Sequence, residues 1–268
     1  MRPLVPVRRA TAYDSTFVAR SPLFSPIERA ARLLAAYDDF PSPCALDGVF
    51  EGEPPVHFVR AMPRARRRDA PLDLRAMYDA RITLDRCVPT RARCWHDLMN
   101  ALVWGTFPLA KRALHARQHR AMAERIVEGA RTLPPARTRE QDALALVDEG
   151  GIVVLANDPE SARCTLREHP HALRGMIASG ATDAVIFGHA VYESLVLGVA
   201  PAAVAALVLP RPWAAVADRV RDADAALAEA LADETCLRTP DELCRVDVRD
   251  ASPPGTGCAE NWAPHELP

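Results

Sequence analysis

The strongest constraint on the fold comes from segments that are almost entirely apolar yet carry a few ionisable side chains. From Cys94 to Trp104, every residue is apolar except His96, Asp97 and Asn100. At about 100° per residue, these three polar side chains share one arc of about 100° on a helix. A helix whose other sides are apolar belongs in a core, so its polar face needs partners.

A second segment of this kind runs from Asp183 to Leu197, and its apolar composition predicts a buried helix. It carries His189 and Glu193 four residues apart, with Tyr192 beside them. Residues four apart on a helix lie on one face. The chain is therefore expected to contain two buried helices, each presenting a histidine together with a carboxylate.

Two interpretations of these polar faces remain open. In the first, the side chains form a hydrogen-bond network that fixes helix against helix, or they face solvent. In the second, His96, Asp97, His189 and Glu193 converge on a divalent metal ion, since imidazole and carboxylate groups at helical spacing suit such sites. Ligation of one ion requires the two imidazole nitrogens to lie about 3 to 4 Å apart.

Motifs of the same region are shared with a known family. They are Val88 to Arg91, Trp95 to Trp104, Phe107 with Pro108, Lys111, Asp148 to Gly150, Phe187 to His189, and Glu193. With these motifs the chain resembles the bacterial domain-of-unknown-function family number three thousand and twenty-five. The resemblance extends from about Phe24 to Leu209, and it implies no particular activity.

The fold class follows from the composition and the order of the elements. With 268 residues, 49% of them hydrophobic, the chain can bury a substantial core. We predict a single, predominantly helical α+β domain over residues 21–250, with an irregular segment at 1–20 and an irregular tail at 251–268. The predicted helices lie at about 26–38, 72–84, 94–104, 109–132, after Asp158, at 183–197, at 211–233 and after Thr239, with a short strand at 56–59.

The segment from Ala143 to Asn157 predicts a β-hairpin, because apolar runs flank Asp148, Glu149 and two glycines. Alternatively, Thr138 could cap a short helix that runs into this segment. At a hairpin tip the two acidic residues could complete a metal site, but aspartate before glycine is more common for reasons of turn geometry. The sequence thus predicts a small hairpin or short sheet beside the helices.

Charge and cysteine content limit the partners. The 33 basic and 35 acidic residues give a net charge of −2, which argues against nucleic-acid binding. The longest uncharged stretch is interrupted by Gly198 and Pro201, so no membrane span is expected. The seven cysteines form no Cys-x-x-Cys pair, and the first residues contain no continuous apolar run. We expect a cytoplasmic protein that binds a small molecule.

The predicted function is divalent-metal-dependent hydrolysis of an anionic ester such as a phosphoester. His96, Asp97, His189 and Glu193 are the predicted metal ligands. Arg91, Asn100 and Lys111, which is the chain's single lysine, are the predicted substrate-binding residues, since cations would stabilise the charge of an anionic substrate. The alternative is a non-enzymatic ligand- or protein-binding domain whose His, Asp, Asn and Glu network is structural.

Overall fold

The computed structural model describes residues 12–62, 71–199, 204–211 and 218–252. They form a predominantly helical α+β domain. The α-helices are α1 (Glu28–Leu33), α2 (Tyr78–Asp85), α3 (Trp95–Thr106), α4 (Pro108–Ala123), α5 (Arg139–Gly150), α6 (Pro159–Glu168), α7 (Leu173–Ala178), α8 (His189–Val196) and α9 (Arg219–Ala232). The strands are β1 (His57–Arg60), β2 (Cys87–Thr90), β3 (Gly151–Ala156), β4 (Thr182–Ile186), β5 (Val204–Pro210) and β6 (Cys244–Val246). Short 3-10 helices occupy Phe17–Arg20, Pro22–Ile27, Pro43–Val49, Pro170–Ala172, Pro240–Glu242 and Val248–Ala251.

The larger sheet is built around β3. Its strand order is β4-β3-β5-β6, in which β3 runs antiparallel to β4 and parallel to β5. All residues of β3 are buried, as expected for an interior strand made of a continuous apolar run. Helix α9 packs against β3, β4 and β5. The remaining strands, β1 and β2, form a separate parallel pair.

Helix α3 crosses the core and contacts α1, α4 and α8. Its interior side chains, including Met99, Leu102 and Trp104, are almost fully buried. The predicted helix at 94–104 is therefore present with nearly the expected ends. The N-terminus of α3 lies near α8, while α8 also contacts α5, so three helix ends meet at one place.

Helices α4 and α9 are joined by a carboxylate. Pro108 begins α4, and the backbone N–H groups of Leu109 and Ala110 have no partner within that helix. They donate to Asp224 of α9 at 3.2 and 2.8 Å. Asp224 thus caps a helix to which it does not belong.

Two sequence predictions are wrong. The hairpin at 143–157 is instead α5 followed directly by β3, and the alternative cap is present, since Thr138 and Gln141 form a capping box. The predicted helix at 183–197 contains β4 and then α8. In both segments, a glycine lies between the two elements and allows their backbones to approach closely. The continuous apolar run gives no signal of this boundary in the sequence.

The ends of several other helices differ from the predicted ends by up to a few turns. Helix α1 ends at Leu33, α2 begins at Tyr78, and α4 ends at Ala123. The predicted strand at 56–59 is present as β1, and the helix predicted at 211–233 corresponds to α9, while residues 212–217 are not described. Residues 1–11 and 253–268, which make up much of the two predicted irregular segments, also lie outside the described residues.

Candidate metal centre

The first part of the site comes from the start of α3. His96 and Asp97 lie in its first turn and Asn100 one turn later, as the sequence pattern requires. The His96 side chain keeps 28% of its surface exposed. Asn100 is buried. The polar arc of α3 therefore runs from a solvent-accessible imidazole to a buried amide.

The second part depends on Gly188, which links β4 to α8. A Cβ atom at this position would lie 2.5 Å from the backbone nitrogen of Gly151 and 2.6 Å from the carbonyl oxygen of Glu149. Only glycine permits that approach. The result places His189, the first residue of α8, directly against the end of α5.

The third part is the last turn of α5, which carries Asp148 and Glu149. The backbone N–H groups of Phe187 and Gly188 both donate to the carbonyl oxygen of Gly151 at 2.9 Å. These bonds hold the end of α5 beside the start of α8. The acidic pair and His189 are consequently fixed relative to one another by backbone contacts.

His96, His189 and Glu149 bring one ligand atom each to a common point. Nε2 of His189 lies 3.1 Å from Nε2 of His96 and 3.4 Å from Oε2 of Glu149. The ligand atoms of the three side chains all lie within 4.8 Å of one another. Two nitrogens that each bind an ion at about 2 Å in tetrahedral geometry are separated by about 3.3 Å. The three residues could thus hold one metal ion.

Two further carboxylates face the remote nitrogens of the imidazoles. Glu193 Oε2 lies 2.9 Å from Nδ1 of His96, and Asp148 Oδ1 lies 3.7 Å from Nδ1 of His189. A carboxylate that accepts the Nδ1–H bond leaves the Nε2 lone pair free for a metal. Glu193 is therefore placed to orient His96.

The pKa shifts in the cluster follow from these contacts. The hydrogen bond with Glu193 raises the pKa of His96. Burial lowers the pKa of His189 to about 3, so this imidazole is neutral near pH 7 and able to act as a ligand. Burial and the nearby Asp148 carboxylate raise the pKa of Glu149.

Lys111 supports Asp148 from inside the protein. Its side chain is fully buried and its ammonium lies 2.6 Å from Asp148 Oδ1. The rings of Trp104 and Phe187 lie 5.8 and 5.9 Å from that ammonium. Burial alone would raise the pKa of Asp148, but the Lys111 ammonium holds it well below its usual range.

Arg91 and Asp97 form a separate pair. Nη2 of Arg91 lies 2.7 Å from Asp97 Oδ1, and the Arg91 backbone N–H donates to Asp97 Oδ2 at 2.5 Å. Arg91 is largely exposed, whereas the Asp97 side chain is mostly buried. Asp97 therefore faces Arg91, whereas His96 pairs with Glu193 and His189.

Of the four predicted ligands, the structure brings together His96 and His189, with Glu193 behind His96. The third candidate ligand atom comes from Glu149, for which the sequence favoured a turn role. The signal that points to Glu149 is its position beside two glycines that let backbones approach closely. Tyr78, which no sequence pattern indicates, also lies near the site, and its hydroxyl accepts a hydrogen bond from Asn100 at 3.1 Å.

Comparison with known families gives one match. Residues 65–250 match the family described as protein of unknown function (DUF3025). The chain belongs to this family. Searches of the curated proteins and of the solved structures found no match to this chain.

In this DUF3025 protein, the matched region contains the whole cluster and the elements that carry it. The family description names no activity, so the chemistry has to be argued from the cluster itself. In the described part of the chain, no helix combines the length and apolar character needed to cross a membrane.

Proposed function

We propose that the protein is a divalent-metal-dependent hydrolase that acts on an anionic ester. The observation that carries the proposal is the convergence of two imidazole nitrogens and the Glu149 carboxylate at ligand distances. Two histidines and a glutamate are the protein ligands of several zinc hydrolases, in which a further position stays open for water.

Exposure favours a catalytic site over a buried structural one. Half of the Glu149 side chain and more than a quarter of the His96 side chain remain accessible, whereas His189 is buried. The cluster is thus anchored on the inside and open on the outside. A ligand can approach the outer side.

The charge balance favours a cation. Metal ligation requires both imidazoles to be neutral, and His96, whose pKa is raised by Glu193, would release its proton on binding an ion. Four carboxylates then stand against the two positive charges of Lys111 and Arg91; they belong to Asp97, Asp148, Glu149 and Glu193. A divalent ion would neutralise the remaining two negative charges.

Each residue of the site would have its own role. His96, His189 and Glu149 would hold the ion, and a divalent ion bound there would supply the activation of water that hydrolysis needs near neutral pH. Glu193 orients His96, and Lys111 keeps Asp148 ionised beside His189. Of the predicted substrate-binding residues, Arg91 and Lys111 are paired with Asp97 and Asp148 and would act through these carboxylates, while Asn100 would act beside the ion.

The first test is elemental analysis of protein purified without chelator. We expect about one divalent ion per chain in the wild type and its loss in His96→Ala, His189→Ala and Glu149→Gln, with circular dichroism unchanged. His171→Ala is the control, because that side chain is 84% exposed and makes no contact with the cluster. Hydrolysis is then measured on aryl phosphomonoesters, phosphodiesters and carboxyl esters.

The same ligands also suit non-haem iron, which two histidines and one carboxylate bind in oxygenases. Iron as the resident metal, without ester hydrolysis, would contradict the proposal.

The second candidate function is a non-enzymatic binding domain with a structural polar network, which the buried pair of Lys111 and Asp148 favours. It predicts that no metal is found and that the histidine variants unfold.

A cytoplasmic location is part of the proposal. The six cysteines within the described residues are all free thiols, as is usual in a reducing compartment.

A further inference from the structure

A tyrosine beside the proposed metal site has a hydroxyl hydrogen to donate. Asn100 Nδ2 donates to the Tyr78 hydroxyl oxygen at 3.1 Å. Among the described residues, no acceptor for the Tyr78 hydroxyl hydrogen is found. Asn100 Oδ1 is also buried without a partner within the described part of the chain. The pair therefore offers one donor and one acceptor to a ligand.

The backbone places this pair next to the cluster. Asn100 follows His96 by one helical turn on α3, so their side chains lie on the same face about 6 Å apart. Tyr78 begins α2, and its ring packs edge-on against His115 with centroids 5.7 Å apart. Asn100 and His115 thus hold Tyr78 from two sides.

Tyr78 is also within electrostatic range of the site's carboxylates. Desolvation of the hydroxyl and the negative charges of Asp148 and Asp97 raise its pKa. The phenol therefore remains protonated at neutral pH and can act only as a hydrogen-bond donor or as a neutral acceptor. The residue as a whole keeps 37% of its surface exposed, so it borders solvent as well as the cluster.

The two cations predicted to bind substrate are engaged elsewhere. Lys111 is fully buried against Asp148, and the Arg91 guanidinium is occupied by Asp97 through Nε and Nη2. A neutral donor beside the cluster could therefore supply a hydrogen bond to an anion.

We propose that the Tyr78 hydroxyl, oriented by Asn100, donates a hydrogen bond to an oxygen of an anionic ligand bound at His96, His189 and Glu149. This proposal rests on the proposed function, because the ligand is taken to bind at the metal. It assigns Tyr78 as a ligand-contacting residue and Asn100 as the residue that positions it.

The test uses inorganic phosphate as the probe. Wild-type protein is loaded with zinc, and phosphate binding is measured by isothermal titration calorimetry. Tyr78→Phe removes only the hydroxyl, and we expect phosphate affinity to fall about ten- to a hundred-fold, the usual effect of one hydrogen bond to a charged group. Zinc affinity, measured by competition with a chromophoric chelator, should stay unchanged.

Tyr37→Phe is the matched control, since Tyr37 is 39% exposed, much like Tyr78, and makes none of the cluster's contacts. Asn100→Leu removes the orienting donor and should weaken phosphate binding with the zinc affinity retained.

The outcomes separate the two proposals. Failure of the wild type to bind zinc would overturn the proposed function and this inference with it. Zinc binding without phosphate binding, or equal phosphate affinity in the wild type and Tyr78→Phe, would overturn the inference alone.

Discussion

The two imidazoles of the cluster lie beside different carboxylates, and the two carboxylates differ in setting. Glu193 is partly exposed and contacts His96 Nδ1, whereas Asp148 is mostly buried, paired with Lys111, and faces His189 Nδ1. Glu193 and His96 can exchange protons with solvent, whereas Asp148 and His189 are shielded from it. The two histidines should therefore respond differently to loss of their partners.

Replacing Glu193 with glutamine keeps an acceptor near His96 Nδ1 but removes its charge. We expect metal affinity to fall about ten- to a hundred-fold, because carboxylates behind a ligating histidine fix its tautomer and raise its basicity. The measurement is a metal titration against a competing chelator. Glu234→Gln is the control on an exposed glutamate; equal affinities in the two variants would show that Glu193 does not support His96.

Replacing Lys111 with methionine leaves the Asp148 carboxylate buried without its ammonium. We expect the free energy of unfolding to fall by about 3 to 5 kcal/mol, the usual cost of an unpaired buried charge. Urea denaturation measures the change. The double variant Lys111→Met with Asp148→Leu should recover much of the loss. No recovery would mean that Lys111 contributes mainly through its packing between Trp104 and Phe187.

The site residues could be predicted only as far as local periodicity reaches. Spacing on α3 and α8 was enough to select His96, His189 and Glu193, because residues one turn apart share a face. It could not assign Asp97 to Arg91, since that contact depends on the path of the loop before α3. Nor could it select Tyr78, whose partner Asn100 is 22 positions away.

At the scale of elements, two glycine contacts decide how the site is assembled. Gly151 follows α5 and Gly188 precedes α8, and a Cβ atom at either position would overlap backbone atoms. The sequence pattern predicts a turn at the first and gives no signal at the second. A glycine selected for close approach and one selected for a turn look the same in sequence, which explains the wrong hairpin and the overlong helix.

Replacing Gly188 with alanine should separate the end of α5 from the start of α8. A Cβ atom 2.5 Å from the Gly151 nitrogen forces a backbone shift that costs about 1 to 3 kcal/mol of stability. Because His189 and Glu149 lie on the two sides of this contact, metal affinity should fall at least about ten-fold as well. Urea denaturation and metal titration measure the two effects.

Gly175→Ala provides the comparison for that variant. Gly175 lies in α7, and a Cβ atom added there would meet no atom of the described residues within 4 Å. Alanine there should leave metal affinity unchanged and raise stability by up to about 1 kcal/mol. Similar behaviour of the two variants would contradict a special role for Gly188.

At the scale of the whole molecule, the contact between α4 and α9 is one of the connections between the site and the sheet. Lys111 lies on α4, and α9 packs against β3, β4 and β5. Asp224 joins the two helices by accepting from the α4 backbone at its first turn. Asp224 therefore contributes to the contact between α4 and α9, and α9 in turn packs on the sheet.

The ionisation of Asp224 should make the stability of the whole domain depend on pH. Burial raises its pKa to about 6 from 3.8, against the effect of its two backbone hydrogen bonds. Between these values the folded state holds a proton that the unfolded state has released, so stability falls as the pH rises through this window. The shift corresponds to about 3 kcal/mol.

The variant Asp224→Asn keeps an acceptor for the α4 backbone and cannot ionise. Urea denaturation between about pH 4 and pH 7 should show wild-type stability falling relative to this variant by about 3 kcal/mol, with the change centred near pH 5. Asp38→Asn, at an exposed position, should run parallel to the wild type. If Asp224→Asn also runs parallel, the carboxylate ionises as freely in the folded domain as in the unfolded chain, and the connection between α4 and α9 carries no electrostatic cost.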